Sequence, residues 1–267
     1  MIHNGEPVIG IVGGMGPRAG QALYGKIIDH SPACSDQEHF SVVLLSFSRH
    51  LPDRTLFLQG KEPVNPGLRI ARVIRQLHQN GAGIIGIPCN TSHMPAIYDT
   101  ILEETGMLRL QLLHMPRETC NRLALAGPRI RRVGVMSTSG THRAGLYYRL
   151  LEEYGYQPIV TDNRVQQEII HEMIYNPVFG IKCVAGVIHP EVYRLLEKAI
   201  TYFVQEKADS VIIGCTELSL AIPEGEHRGI LFVDSLESLA MALVTAAGTE
   251  QAVLAQTANL WSMNSGL

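Results

Sequence analysis

Unbroken apolar runs alternate along this chain with longer stretches in which apolar positions recur every three or four residues. The runs predict strands at 7–14 (PVIGIVGG), 40–47 (FSVVLLSF), 83–88 (GIIGIP), 131–137 (RRVGVMS), 209–215 (DSVIIGC) and 229–234 (GILFVD). They are continuous rather than alternating, the pattern of strands covered on both faces in a parallel sheet. Helical spacing starts near Pro17 and recurs over 65–82, 94–104, 141–155, 164–175, 191–206 and 235–247. Pro17 suits a first helical turn. In the second of these segments Leu68, Val73, Ile74 and Leu77 share a face, and Gly81 supplies a stop. Strand and helix in alternation predict an α/β fold.

The pattern also repeats at long range. VIGIVGGMGP near the start resembles RVGVMSTSGT near the middle, and GIIGIPCNTSH resembles SVIIGCTELS. Gly10 precedes Cys89 by 79 residues, and Gly134 precedes Cys215 by 81. Two pseudo-equivalent Rossmann-like domains are expected, with a ligand where the C-terminal ends of their strands face each other.

Composition narrows the function. The 267 residues are 46% hydrophobic and 18% charged, enough for a full core without metal or disulfide staples. A net charge of -3 and a pI near 6.4 carry no electrostatic footprint for nucleic acid. The basic cluster GPRIRRVG (127–134) reads as a solvated loop leading into a strand. The N-terminus lacks the pattern of a signal peptide, and no apolar run reaches the ~18 residues of a membrane span. A cytoplasmic enzyme with no membrane partner is expected. The five cysteines are widely spaced without a CxxC, and HEMIY (171–175) lacks the second histidine of a zincin, so no metal is expected.

GMGPRA (14–19) follows a strand and matches G-x-G-x-x-A, which raises a dinucleotide site. Such a site wants an acidic residue after the second strand, where this chain has Ser48, Arg49 and His50, and Pro17 falls inside the motif. A tight glycine turn whose backbone N–H groups approach a small anion fits better.

The cysteines carry more. Cys89 and Cys215 each end a predicted strand and are followed by small hydroxyl or amide residues. Singly, each reads as well-packed core. In matching places of two halves they suit proton exchange at a chiral carbon, one thiolate removing a proton from one face and a thiol returning one to the other. Thiols titrate close enough to neutrality for both roles. The amide and hydroxyl groups beside them suit a substrate carboxylate.

GIVGGMGP (10–17), PDRT (52–55), PCNTSH (88–93), STSGT (137–141), GIK (180–182) and GCTEL (214–218), in this order, resemble the cofactor-independent aspartate/glutamate racemase family. The resemblance covers all but the last ~20 residues. It implies two α/β domains, the first from 1–115 plus a returning 232–267 and the second from 116–231, with the active site in the cleft between them. It implies a homodimer, no cofactor, and Cys89 and Cys215 as the acid/base thiols. Asn90, Thr91, Thr138 and Thr141 would bind the α-carboxylate, Met15 would line the pocket, and Thr216 would contact the amino acid. Arg54 and Lys182 would grip a side-chain carboxylate, although GIKCVAG departs from the usual KAG. Glu217 stands where glutamate racemases of the cell-wall type usually carry histidine, which points to the aspartate-type branch. His93 either assists the first thiol, orients its loop or caps the next helix. Cys34 reads as loop and Cys120 as helix core, while Cys183 has no assigned role. The expected reaction interconverts L- and D-aspartate, possible also for glutamate. The rivals are glutamate racemase, a relative acting on a hydantoin or small diacid, and a non-catalytic module binding acidic amino acids.

Overall fold

The computed structural model describes residues 6–184 and 186–264, with side chains through Thr249. The first half contributes β1 (Val8–Gly13), α1 (Pro17–His30), β2 (Ser41–Ser46), α2 (Arg54–Leu58), α3 (Pro66–Gln79), β3 (Ile84–Gly86), α4 (Pro95–Thr105), β4 (Gln111–Leu112) and α5 (Met115–Leu125). The second contributes β5 (Arg132–Ser137), α6 (Ser139–Ala144), α7 (Leu146–Glu153), β6 (Gln157–Ile159), α8 (Glu172–Tyr175), α9 (Pro190–Gln205), β7 (Ser210–Gly214), β8 (Gly225–His227), β9 (Ile230–Asp234) and α10 (Ser235–Asn264).

The strands form two sheets, ordered β2-β1-β3-β4 and β6-β5-β7-β9-β8. Apart from the antiparallel edge strand β8, all pairings are parallel. The same wiring, with the first strand of each sheet inside and the second beside it, is therefore built twice. The repeat extends to packing. A Cβ on Gly10 in β1 would lie 2.6 Å from Ile85 Cδ1, and one on Gly134 in β5 would enter the Phe203 ring. Both central strands need glycine because a neighbouring side chain rests on the backbone.

The helices bury the faces their sequences predict. In α3, Ile70, Val73, Ile74 and Leu77 are buried, and the Asn65 side chain caps the first turn by accepting from Gly67 N at 2.8 Å. Leu68, counted with that face in the sequence, is exposed. In α9, Leu195, Leu196, Ala199 and Phe203 turn inward. After β9 the chain crosses back, and Leu236, Leu239, Ala240 and Leu243 of α10 join Ile9, Ile11, Leu23 and Ile84 in the first half's core. The boundary expected at 231/232 falls inside β9, which pairs with β7 through Ile212↔Val233 and Ile213↔Asp234. The return begins at Ser235.

Two local expectations are corrected. The helix expected over 141–155 is two helices, because Gly145 sits at φ 67° and its N–H caps α6 on His142 O. The helix expected over 164–175 starts as a π-helix, Val165–His171, and continues as the single turn of α8. The expected α/β fold with parallel sheets is present, β8 being an antiparallel edge strand. Among the described residues no helix is long and apolar enough to cross a membrane.

Candidate active site

In each sheet the chain leaves the first strand toward one edge and later crosses to the other side, opening a crevice beyond the strand C-termini. The crevices of the two sheets face each other. Cys89 lies three residues beyond β3 and Cys215 immediately follows β7. Both line one narrow cavity, and they are 6% and 3% exposed. Every other site residue expected from the sequence lines it too, except Thr141. Thr141 stands one hydrogen bond behind, its hydroxyl 3.0 Å from that of Thr91 and 3.1 Å from that of Thr138. Thr91 and Thr138 are themselves 3.2 Å apart, so three hydroxyls tie the first half to the second at the cavity wall.

The Cys89 turn is held from behind by histidine. His93 Nδ1–H donates to Cys89 O at 3.0 Å, and His93 Nε2 accepts from Met115 N at 3.3 Å. These partners fix a neutral imidazole. Burial, helped by neighbouring His114, pushes its pKa down to about 3. Its contacts are those of a residue that orients the loop; it does not cap the next helix, α4, whose N-terminus has no side-chain cap, and instead accepts from the first residue of α5. Asn90 is fixed at both ends of its amide. Tyr147 OH donates to Oδ1 at 2.6 Å, and Nδ2 donates to Ser235 Oγ at 3.0 Å. One N–H of Nδ2 remains for a ligand.

Arg54 opens α2, whose cap is Asp53 Oδ1 accepting from Leu56 N at 2.8 Å. Burial opposes its charge, but the adjacent Cys89 and Asp53 outweigh burial and raise its pKa. One guanidinium nitrogen donates to Pro52 O at 3.1 Å, while buried Nε has no hydrogen-bond partner among the described residues.

Around Cys215 the charges are paired. Lys182 Nζ contacts Glu217 Oε1, and Cys215 Sγ–H donates to Glu217 Oε2 at 3.2 Å. Burial raises the Glu217 pKa, but the Lys182 charge wins and holds it low. Burial and the Glu217 charge together push the Cys215 thiol up. The glycine turn after β1 runs close to this carboxylate: a Cβ on Gly16 would lie 3.1 Å from Glu217 Oε1. Met15, in that turn, accepts from Ser92 Oγ at 3.5 Å.

Three lining residues were not foreseen, one of them Gly214, the last residue of β7. Thr55 follows Arg54 within the PDRT motif, so its neighbour was the signal. Tyr175 had none, because the π-helix before it changes the register of its side chains. Its hydroxyl lies 3.4 Å from Thr55 Oγ1, a second link between the halves, and burial pushes its pKa up to about 12. Its ring stacks on His171 at 4.9 Å. The remaining cysteines stay outside. Cys34 and Cys183 are exposed, and Cys120 is buried in α5, where burial pushes its pKa to about 12.

A family model described as Asp/Glu/hydantoin racemase matches residues 12–243. A broad-specificity amino-acid racemase of Bacillus subtilis is 23% identical over 244 residues, covering 89% of this chain and 97% of that protein. The structure of the aspartate racemase of Picrophilus torridus superposes with a TM-score of 0.71 at 25% identity, over 91% of this chain and 94% of that one. Glutamate racemase RacE1 of Bacillus anthracis shares the fold, with a TM-score of 0.60 at 16% identity over 93% and 84% of the two chains.

Proposed function

The chain belongs to the Asp/Glu/hydantoin racemase family, and from that premise we propose that it racemises aspartate, and to a lesser extent glutamate, with Cys89 and Cys215 as its two proton-transfer groups. The observation that carries the reading is the convergence of two cysteines, from equivalent strands of two halves, on one cavity.

The chemistry divides between the thiols. Cys89 as thiolate takes the α-proton and becomes a thiol, and the C–H electron pair stays on Cα. Cys215 gives its S–H proton to the opposite face and becomes a thiolate. The configuration inverts, and the opposite enantiomer runs the same steps backward. Holding both groups at fixed places on either side of Cα is what lowers the barrier. The last N–H of Asn90 and the threonine hydroxyls suit the α-carboxylate, and Thr216 lies beside the second thiol. The buried Arg54 cation suits a side-chain carboxylate, which favours a dicarboxylic amino acid over a hydantoin.

Incubating the chain with L-aspartate in deuterium oxide, without pyridoxal phosphate and with chelator present, should yield D-aspartate carrying deuterium at Cα. Binding of aspartate with no exchange at Cα would instead identify a non-catalytic binding module.

A further inference from the structure

The two cations in the cavity are not equivalent. Arg54 keeps a buried, unpartnered Nε among the described residues. Lys182 has its charge engaged, since its ammonium sits on Glu217 Oε1 with the Tyr175 ring centroid 5.8 Å away. The other oxygen of that carboxylate receives the Cys215 thiol at 3.2 Å. A lysine, a carboxylate and a thiol thus form a continuous chain ending on a proton-transfer group. A second carboxylate brought to Lys182 would compete with Glu217 and lie close to its negative charge.

We propose that Lys182 is a positioning residue that acts through Glu217 on Cys215, and that recognition of the substrate's side-chain carboxylate falls to Arg54. The inference rests on the two-thiol racemase reading. Its physical content is charge compensation. Each time Cys215 gives its proton to Cα, a thiolate forms beside Glu217, and two adjacent buried anions repel. Lys182 neutralises one of them, so the thiolate can form and later recover a proton from Cα. It also keeps Glu217 ionised as an acceptor that aims the S–H. Glu217 and Lys182 are the charged groups facing Cys215. Tyr175 lies alongside, and Cys89 and Arg54 stand across the cavity.

Removing the ammonium leaves a buried carboxylate without its cation, so the Glu217 pKa rises. Below that raised value Glu217 is protonated and no longer accepts from Cys215; above it, its uncompensated charge opposes the thiolate. Turnover should fall throughout, and most on the acid side.

The test is steady-state kinetics on aspartate in both directions, across about pH 6 to 9. The chains compared are wild type, Lys182→Met, Lys182→Arg, Glu217→Gln and the double variant Lys182→Met/Glu217→Gln. Lys182→Met should keep KM within about twofold, lower kcat about 100-fold and move the acid limb of kcat to higher pH. Lys182→Arg should restore most of the turnover. The double variant should be within about threefold of Glu217→Gln alone, because the lysine acts through the carboxylate. Lys182→Gln, read the same way, covers the case in which methionine prevents folding. A KM raised tenfold or more with kcat and its pH profile preserved would make Lys182 a substrate grip and overturn the proposal. Losses that multiply independently in the double variant would overturn it as well. A wild-type chain that binds aspartate without exchanging its Cα hydrogen would overturn the racemase reading, and this inference with it.

Discussion

The two ends of the cavity are built on the same strand wiring and carry opposite electrostatics. At one end Cys89 meets the guanidinium of Arg54, with a neutral histidine holding its loop from behind. At the other Cys215 meets a carboxylate that a lysine already neutralises. The repeated fold sets where the thiols stand. The side chains that differ between the halves set which charges each thiol faces. Two-fold placement with one-fold chemistry suits a reaction whose two faces are mirror images while its substrate is not.

The strongest way to break this comparison is to remove either thiol. Cys89→Ser and Cys215→Ser should each cut racemisation by about 1,000-fold or more, since each deletes an essential acid or base. Near-normal turnover in either variant, measured by chiral chromatography, would end the two-thiol reading. Removing the cation on the Cys89 side comes next. Arg54→Ala should reduce kcat/KM for aspartate about 100-fold, the scale for truncating a buried charged partner, and reduce that for alanine far less. Equal losses on both would take Arg54 out of side-chain recognition.

The repeat itself can be probed through the two close-packed glycines. Gly10→Ala and Gly134→Ala should each destabilise the protein by about 1–3 kcal/mol, read from urea midpoints, because the added methyl meets Ile85 or Phe203. A neutral result at either position would mean that half accommodates the methyl by repacking. The smallest effect sharpens the contrast between the loops behind the thiols. His93 is held neutral with its pKa near 3 against an ordinary 6.5, so the unfolded chain binds its proton first as the pH falls. Its share of stability is intact above about pH 6.5 and is lost progressively toward pH 3. His93→Gln should make the acid side of the stability curve shallower, leaving the part that His114 contributes in the same direction.

Much of the molecule was legible in the chain because strands buried on both faces must be apolar throughout. That requirement exposed β1, β3, β5, β7 and β9, β2 was legible as an apolar, β-branched run although it is a half-buried edge strand, and the doubled spacing from glycine to cysteine exposed the repeat. The edge strands β4, β6 and β8 have two or three residues each, too few for any periodicity. Tyr175 was invisible because a π-helical turn precedes it. Lys182 was visible as a site residue, but its partner was not, since the 35 residues separating it from Glu217 hold a whole helix and strand. The choice among roles for His93 likewise waited on the position of Met115 N.

Sequence alone determined the α/β class, the duplicated halves and the residues gathered at their facing strand ends, because burial and local spacing are written in composition and order. Tertiary structure alone decided which charges are spent on each other. Lys182 and Glu217 meet, Arg54 Nε goes unpartnered among the described residues, and Asn90 is braced by Tyr147 and Ser235. Ion pairs and hydrogen bonds between distant segments depend on distances of a few ångströms that no periodicity in the chain encodes.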